Sequence, residues 1–407
     1  MRTILAAVTL MALSACGSND KDEAGQPPAA AATAAVAQNG ADSMASQDPA
    51  AGDQSKADIP DSQPRPIMQA QVVLDRQGFG PGVIDGKMGI STKNALEGFQ
   101  EAHNLEATGK LDPETQQALG QWSNIAATRV VKIPDDWGTR QYQKVPEEPE
   151  DQAKMQELGY ESLDERLAER FHTTAEVLAE LNPNGQPAGM TSPAMAEGGQ
   201  ATAQGNAEAA TTPSPTPSAS SSADPEQPLF HAGQMVRVPN IGADRIDPAV
   251  VEDKTWQATL ASLGVGTGQP HVSKIVVDKS GGWLKGYDQA GKLVAMFTVT
   301  TGSQHDPLPL GTWGITTIAR NTPFNYNPDL FWDADASDTK QRLPPGPNGP
   351  VGVVWIDLTK AHYGIHGTPE PQTIGRTQSH GCVRLTNWDA ARLAQMVDTK
   401  TKVVFQA

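Results

Sequence analysis

Two low-complexity stretches constrain this chain more than any other feature. Residues 17–62 are rich in Ala, Gln, Asp, Gly and Pro, and residues 185–227 in Ala, Gly, Ser, Thr and Pro. Neither carries enough large apolar side chains to offset the entropy of ordering its backbone. They divide a 407-residue sequence, already long for one domain, into separate foldable segments. Net charge is −16 but uneven: from residue 272 onward 13 Lys and Arg face 11 Asp and Glu, so the acidic excess lies upstream. Acidic flanks without a basic stripe argue against nucleic acid as a partner.

Residues 1–15 read as a leader and 16–66 as a flexible tether. Arg2 precedes an apolar run from Ile4 to Leu13, far short of the roughly 20 residues that span a bilayer. The run ends in Leu13-Ser14-Ala15-Cys16, which resembles the lipobox of bacterial lipoproteins. That resemblance implies cleavage before Cys16, lipid on its thiol and membrane attachment through it. With Gly17 next in line, it implies placement in the outer membrane, facing the periplasm.

Residues 67–120 change character. Ile67, Ala70 and Leu74 recur at helical spacing, Ser91 reads as the cap of a second helix carrying Ala95, Leu96 and Phe99, and Asp112-Pro113-Glu114 starts a third. The pattern Ile84-Asp85-Gly86, Thr92, Ala95-Leu96, Phe99-Gln100, Thr108-Gly109, Leu111-Asp112 resembles the type 1 peptidoglycan-binding domain, a small three-helix bundle. Residues 121–156 read as a linker. In 157–240, Ser162 with Glu165 and Thr173 with Glu176 fit capping boxes of two helices. Asn182-Pro183 stops the second helix, and order resumes in Gly233-Gln234-Met235-Val236-Arg237-Val238-Pro239 after the 185–227 insertion. These helices and closing strand look like an α/β LysM module. Residues 241–270 read as a connector.

From 271 to 407 β-branched runs dominate: 274–277, 293–300, 351–356 and 403–405, with one helix from Trp388 to Val397 capped by Thr386 or Asn387. The segment 303–350, with Phe324, Tyr326, Phe331 and Trp332, reads equally as a cleft wall and as core-packed aromatics. The chemistry lies in Ile365-His366-Gly367-Thr368 and Gln378-Ser379-His380-Gly381-Cys382-Val383-Arg384-Leu385. A thiol is weakly ionised at neutral pH and needs a base. No histidine follows Cys382, so the base comes from upstream. His380 is close enough for a local turn to aim it elsewhere, and His362 and His366 would share one face of an extended strand. If Cys16 carries lipid, Cys382 has no disulfide partner in the chain.

The pattern His-Gly-Thr, spacer, Ser-His-Gly-Cys-x-Arg-Leu resembles the L,D-transpeptidase, or YkuD-like, catalytic domain. The resemblance implies a mostly β sandwich with Cys382 as nucleophile, His366 as general base and acid, and the Gly367 carbonyl orienting that histidine. It implies an oxyanion cradle from the Gly381 and Cys382 amides, with His380 and Ser379 shaping the turn beside the substrate. Arg384 would bind a substrate carboxylate or brace the loop. The implied substrate is peptidoglycan, stem peptide and glycan: acylation at the third stem residue releases D-Ala, and an amine takes the acyl group. Water or a protein amine are alternative acceptors, and a non-catalytic anchor is the rival reading. His362, His366, His380 and Cys382 could ligate zinc, but their spacing matches no common zinc pattern, so no metal or cofactor is expected.

Overall fold

The computed structural model describes residues 59–190, 228–242, 246–335 and 337–407. The leader, Cys16, most of the tether and most of the 185–227 insertion lie outside the described residues. Among the described residues no helix is long and apolar enough to cross a membrane.

The helical unit holds α1 (Pro66–Arg76), β1 (Phe79–Gly80), α2 (Ile90–Ala102) and α3 (Pro113–Leu119). Asp112 caps α3 by accepting from the Thr115 amide, as its sequence suggests. Ser91, expected to cap α2, lies inside the helix instead; Gly89 is the cap and offers no side chain.

The next unit runs β2 (Thr128–Lys132), α4 (Pro149–Gln152), α5 (Leu163–Arg170), α6 (Ala175–Leu181) and β3 (Met235–Pro239). The expected linker 121–156 therefore contains β2 and α4. β2 pairs antiparallel with β3, Val130 opposite Arg237. Five residues from a polar stretch hold as a strand because a distant partner supplies the ladder. Ser162 caps α5 by accepting from the Glu165 amide. Thr174 rather than Thr173 caps α6, and the Thr173 hydroxyl donates to the Ile84 carbonyl of the helical unit. Ile133, Leu167, Phe171, Leu178, Phe230 and Val236 pack together as this unit's core.

Helix α7 (Lys254–Leu263) occupies the expected connector, capped by Asp253, and buries Trp256, Leu260 and Leu263 in the main core. Then follow β4 (Lys274–Asp278), β5 (Trp283–Tyr287), β6 (Leu293–Thr298), β7 (Gly311–Arg320), β8 (Phe324–Tyr326), β9 (Gln341–Leu343), β10 (Val354–Leu358), β11 (Gly364–His366), β12 (Val383–Arg384), α8 (Asn387–Met396) and β13 (Lys402–Gln406). The sheet order is β1-β6-β5-β4-β13-β7-β10-β11-β12. β7 is the corner: Gly311–Gly314 pair with β13, and Ile315–Arg320 pair with β10. Val277, Leu284 and Phe297 from one half and Ile356, Ile365 and Val383 from the other meet in one core, with Trp388 and Leu393 of α8. The far edge is supplied by the helical unit, whose Phe79 lies parallel to Met296.

A buried ionic junction joins the units. Asp75 of α1 accepts two hydrogen bonds from Arg392 of α8, at 2.9 and 2.8 Å, and faces His172 Nδ1 at 3.1 Å. Trp388 stacks on His172 at 4.9 Å. Burial pushes the Asp75 pKa up, but the Arg392 and His172 charges outweigh it and hold the carboxyl well below its ordinary range. Glu169 of α5 is buried nearby, and burial pushes its pKa up to about 7.

Candidate active site

β11 and β12 run parallel, with Ile365 opposite Val383 and His366 opposite Arg384. That register puts His366, Arg384 and Cys382 on one face of the sheet. The turn before β12 is held by its own residues. Gly381 has φ +99, and a Cβ there would stand 2.6 Å from the Tyr363 ring. Both facts require glycine. Ser379 is buried and its hydroxyl donates to the Cys382 carbonyl at 2.6 Å. Expected beside the substrate, that hydroxyl is committed to the turn. The Ser379 amide donates to Thr301 at 3.1 Å, and the Arg384 amide to Thr300 at 2.9 Å, anchoring both ends.

His366 is 4 % exposed, stacked on Trp355 at 5.4 Å, with Nδ1 2.7 Å from the Gly367 carbonyl oxygen. A carbonyl only accepts, so the proton sits on Nδ1 and Nε2 keeps its lone pair. Burial first, and the Arg384 charge second, push the His366 pKa down to about 3 against the pull of Gly367. The imidazole is therefore neutral at neutral pH. Cys382 is half-buried, with Sγ 3.8 Å from the His362 carbonyl oxygen. Burial pushes its thiol pKa up, partly offset by the Gly364 backbone and Arg384. The resting pair is thiol and imidazole, both uncharged. Arg384 is half-buried, and its Nε has no hydrogen-bond partner.

His362 departs from the expected shared strand face. Its backbone is left-handed at φ 68, it is exposed, and β11 begins only at Gly364. His380 faces the 322–343 loop: its Nε2 meets Asp333 at 2.7 Å, and Phe331 stands edge-on at 5.1 Å. Trp332 is 60 % exposed and stacks on His305, and Phe324, Tyr326 and Phe331 are half-buried, so these aromatics lie outside the core, with Phe331 against His380. Asp333 escaped the sequence reading because nothing in its local pattern marks it as a partner of His380. Among the described residues no three His, Cys, Asp or Glu side chains converge as a metal site.

Residues 273–405 match the family model of the L,D-transpeptidase catalytic domain, YkuD. The chain carries an L,D-transpeptidase catalytic domain. Residues 64–119 match the model described as a putative peptidoglycan binding domain. Over 59 residues the chain is 49% identical to the putative L,D-transpeptidase YkuD of Bacillus licheniformis, covering 14% of this chain and 36% of that protein. It is 28% identical over 119 residues to the putative L,D-transpeptidase YqjB of Bacillus subtilis, covering 28% of this chain and 60% of that one. The chain thus spans between 36% and 60% of the length of these curated relatives. The crystal structure of L,D-transpeptidase 3 from Mycobacterium tuberculosis with a faropenem-derived adduct aligns at 16% identity and TM-score 0.28, over 44% of this chain and 76% of that one.

Proposed function

We propose that this protein is a peptidoglycan L,D-transpeptidase working through a Cys382 acyl-enzyme. The observation that carries the reading is the fixed tautomer of His366: Nδ1 is bound to Gly367, so Nε2 is the free base on the face shared with Cys382 and Arg384. Because thiol and imidazole both rest neutral, proton transfer accompanies attack. Sγ bonds to the carbonyl carbon of the third stem residue as its proton passes to His366 Nε2. The oxyanion lies against the Gly381 and Cys382 amides, each such donor contributing about 3 kcal/mol in acyl-transfer sites. Collapse breaks the bond to D-Ala, whose nitrogen takes the proton from His366. An acceptor amine then attacks the thioester, gives its proton to His366, and the thiol is regenerated. With a second stem as acceptor the product links two third-position residues; with water it is a trimmed stem. Arg384, with an unsatisfied Nε, receives a substrate carboxylate.

The helical unit and the β2-α5-α6-β3 order, which supports a LysM-like reading, hold the domain against its polymer. Lipid on Cys16 would tether it to the outer membrane, facing the periplasm. Intact-mass measurement of the full chain with a carbapenem tests the chemistry. The wild type should gain one adduct that Cys382→Ala lacks; an unmodified wild type removes the proposal. Mass spectrometry of treated peptidoglycan then assigns the acceptor, and unchanged stems would favour the anchor.

A further inference from the structure

Asn387 opens α8 and is fully buried. Its Nδ2 donates to the Pro347 carbonyl at 3.0 Å and to Glu169 Oε1 at 2.8 Å, while its Oδ1 accepts from the Val353 amide at 3.2 Å. Two acceptors on one side and a donor on the other allow one orientation of the amide. In that orientation Oδ1 is wedged against Gly367, 2.3 Å from where a Cβ would stand. Gly367 is the residue whose carbonyl holds His366 Nδ1 at 2.7 Å. A contiguous line of contact thus runs from α5 of the β2-α5-α6-β3 unit, through Asn387 and Gly367, to the imidazole. Glu169 is itself 8 % exposed and also lines a cavity of about 580 Å³ where all three units meet, along with Asp85, Glu176 and Arg376.

We infer that Glu169 is a positioning residue for His366, so that a carboxyl oxygen from the accessory unit sets the orientation of the catalytic base through Asn387 and Gly367. This rests on the acyl-transfer reading of Cys382 and His366. The line is short: Glu169 Oε1, accepting from Nδ2, helps fix which end of the Asn387 amide faces Gly367, and Gly367 has no side chain with which to adjust. Without Glu169 the amide loses one of the two acceptors holding it, and Gly367 can shift with it. Sub-ångström changes at an imidazole that must meet Sγ and the leaving nitrogen in turn are felt in rate.

The test is carbapenem acylation of Cys382 in the full chain, followed by intact mass against time and concentration. Glu169→Leu should slow the saturating rate about tenfold with half-saturation changed less than about twofold, the signature of misplacement and not of lost binding. Glu169→Gln, whose Oε1 still accepts from Asn387, should stay within about threefold of wild type. In a His366→Gln background Glu169→Leu should have no further effect, because its influence passes through the missing imidazole. If the leucine variant does not fold, Glu169→Ala makes the same deletion without the bulk and is judged by the same cycle. An equal fold-loss in the His366→Gln background, or a leucine variant as fast as wild type, overturns the coupling alone. A wild type that forms no adduct overturns the acyl-transfer reading and the coupling together.

Discussion

His366 and His172 are both buried and both near an arginine, yet their surroundings oppose each other. His366 has one nitrogen bound to a carbonyl, and the Arg384 charge beside it, with burial, pushes its pKa down to about 3. His172 has Nδ1 facing Asp75 and Nε2 facing the Leu263 carbonyl at 2.8 Å, with Arg392 held by the same Asp75. One histidine keeps a nitrogen for chemistry; the other commits both to holding units together. On the proposed function, what separates the working imidazole from the structural one is an unspent lone pair, since burial and a neighbouring cation are common to both.

The strongest way to break this contrast is at His366. His366→Gln should slow Cys382 acylation by about 10²–10⁴-fold, the usual worth of a positioned general base, with thermal stability retained. A neutral resting imidazole also predicts a pH profile of acylation with no inflexion near the ordinary histidine value of 6.5, level from above about 3 until the thiol, whose pKa burial has raised, begins to ionise. An inflexion near 6.5 would show His366 to be ordinary and end the comparison. The linked stability effect has a definite sign: between about 3 and 6.5 the unfolded chain binds a proton that the folded His366 refuses, so acidification through that window destabilises the fold.

At the other histidine the expected effect is on stability. Asp75→Ala leaves Arg392 and His172 buried without their carboxylate, which should cost about 3–5 kcal/mol in urea unfolding. The contribution of Asp75 is complete above its ordinary carboxylate value of 3.8 and fades below it, because its folded pKa lies lower. A loss under about 1 kcal/mol would mean the junction is held mainly by apolar packing.

The smallest effect belongs where Asp333 meets His380 on a partly exposed pair. Asp333→Ala should change stability by no more than about 1 kcal/mol while hastening hydrogen exchange in β8 and β9. Unchanged exchange there would show that the hairpin is held by its own ladder and by Phe331.

How much of this was legible in advance differs by range. The Ser379–Arg384 turn could be read because its parts are consecutive: the Ser379 hydroxyl bonds the Cys382 carbonyl three residues on, and Gly381 supplies a conformation that only glycine adopts easily. The caps at Asp112 and Ser162 are equally local. Other local readings slipped where a neighbour competed. Thr173 gave its hydroxyl to Ile84 and left the cap to Thr174, and His362 entered a turn instead of the strand. β2 was invisible because a short strand is stable only beside its partner β3. The links from Asn387 to Glu169 and from Arg392 to Asp75, 218 and 317 residues apart, have no local signature at all.

By itself, then, the sequence determined the candidate nucleophile and its candidate base, the turn beside them and the multidomain plan, since each depends on side chains within a few residues or on segment composition. Only the tertiary structure decided that His366 keeps Nε2 while His172 commits both nitrogens, which arginine faces His366, and that a helix outside the catalytic domain reaches Gly367 through Asn387. Desolvation and the direction of a hydrogen bond are properties of an enclosed place, and that place exists only once distant segments have packed around it.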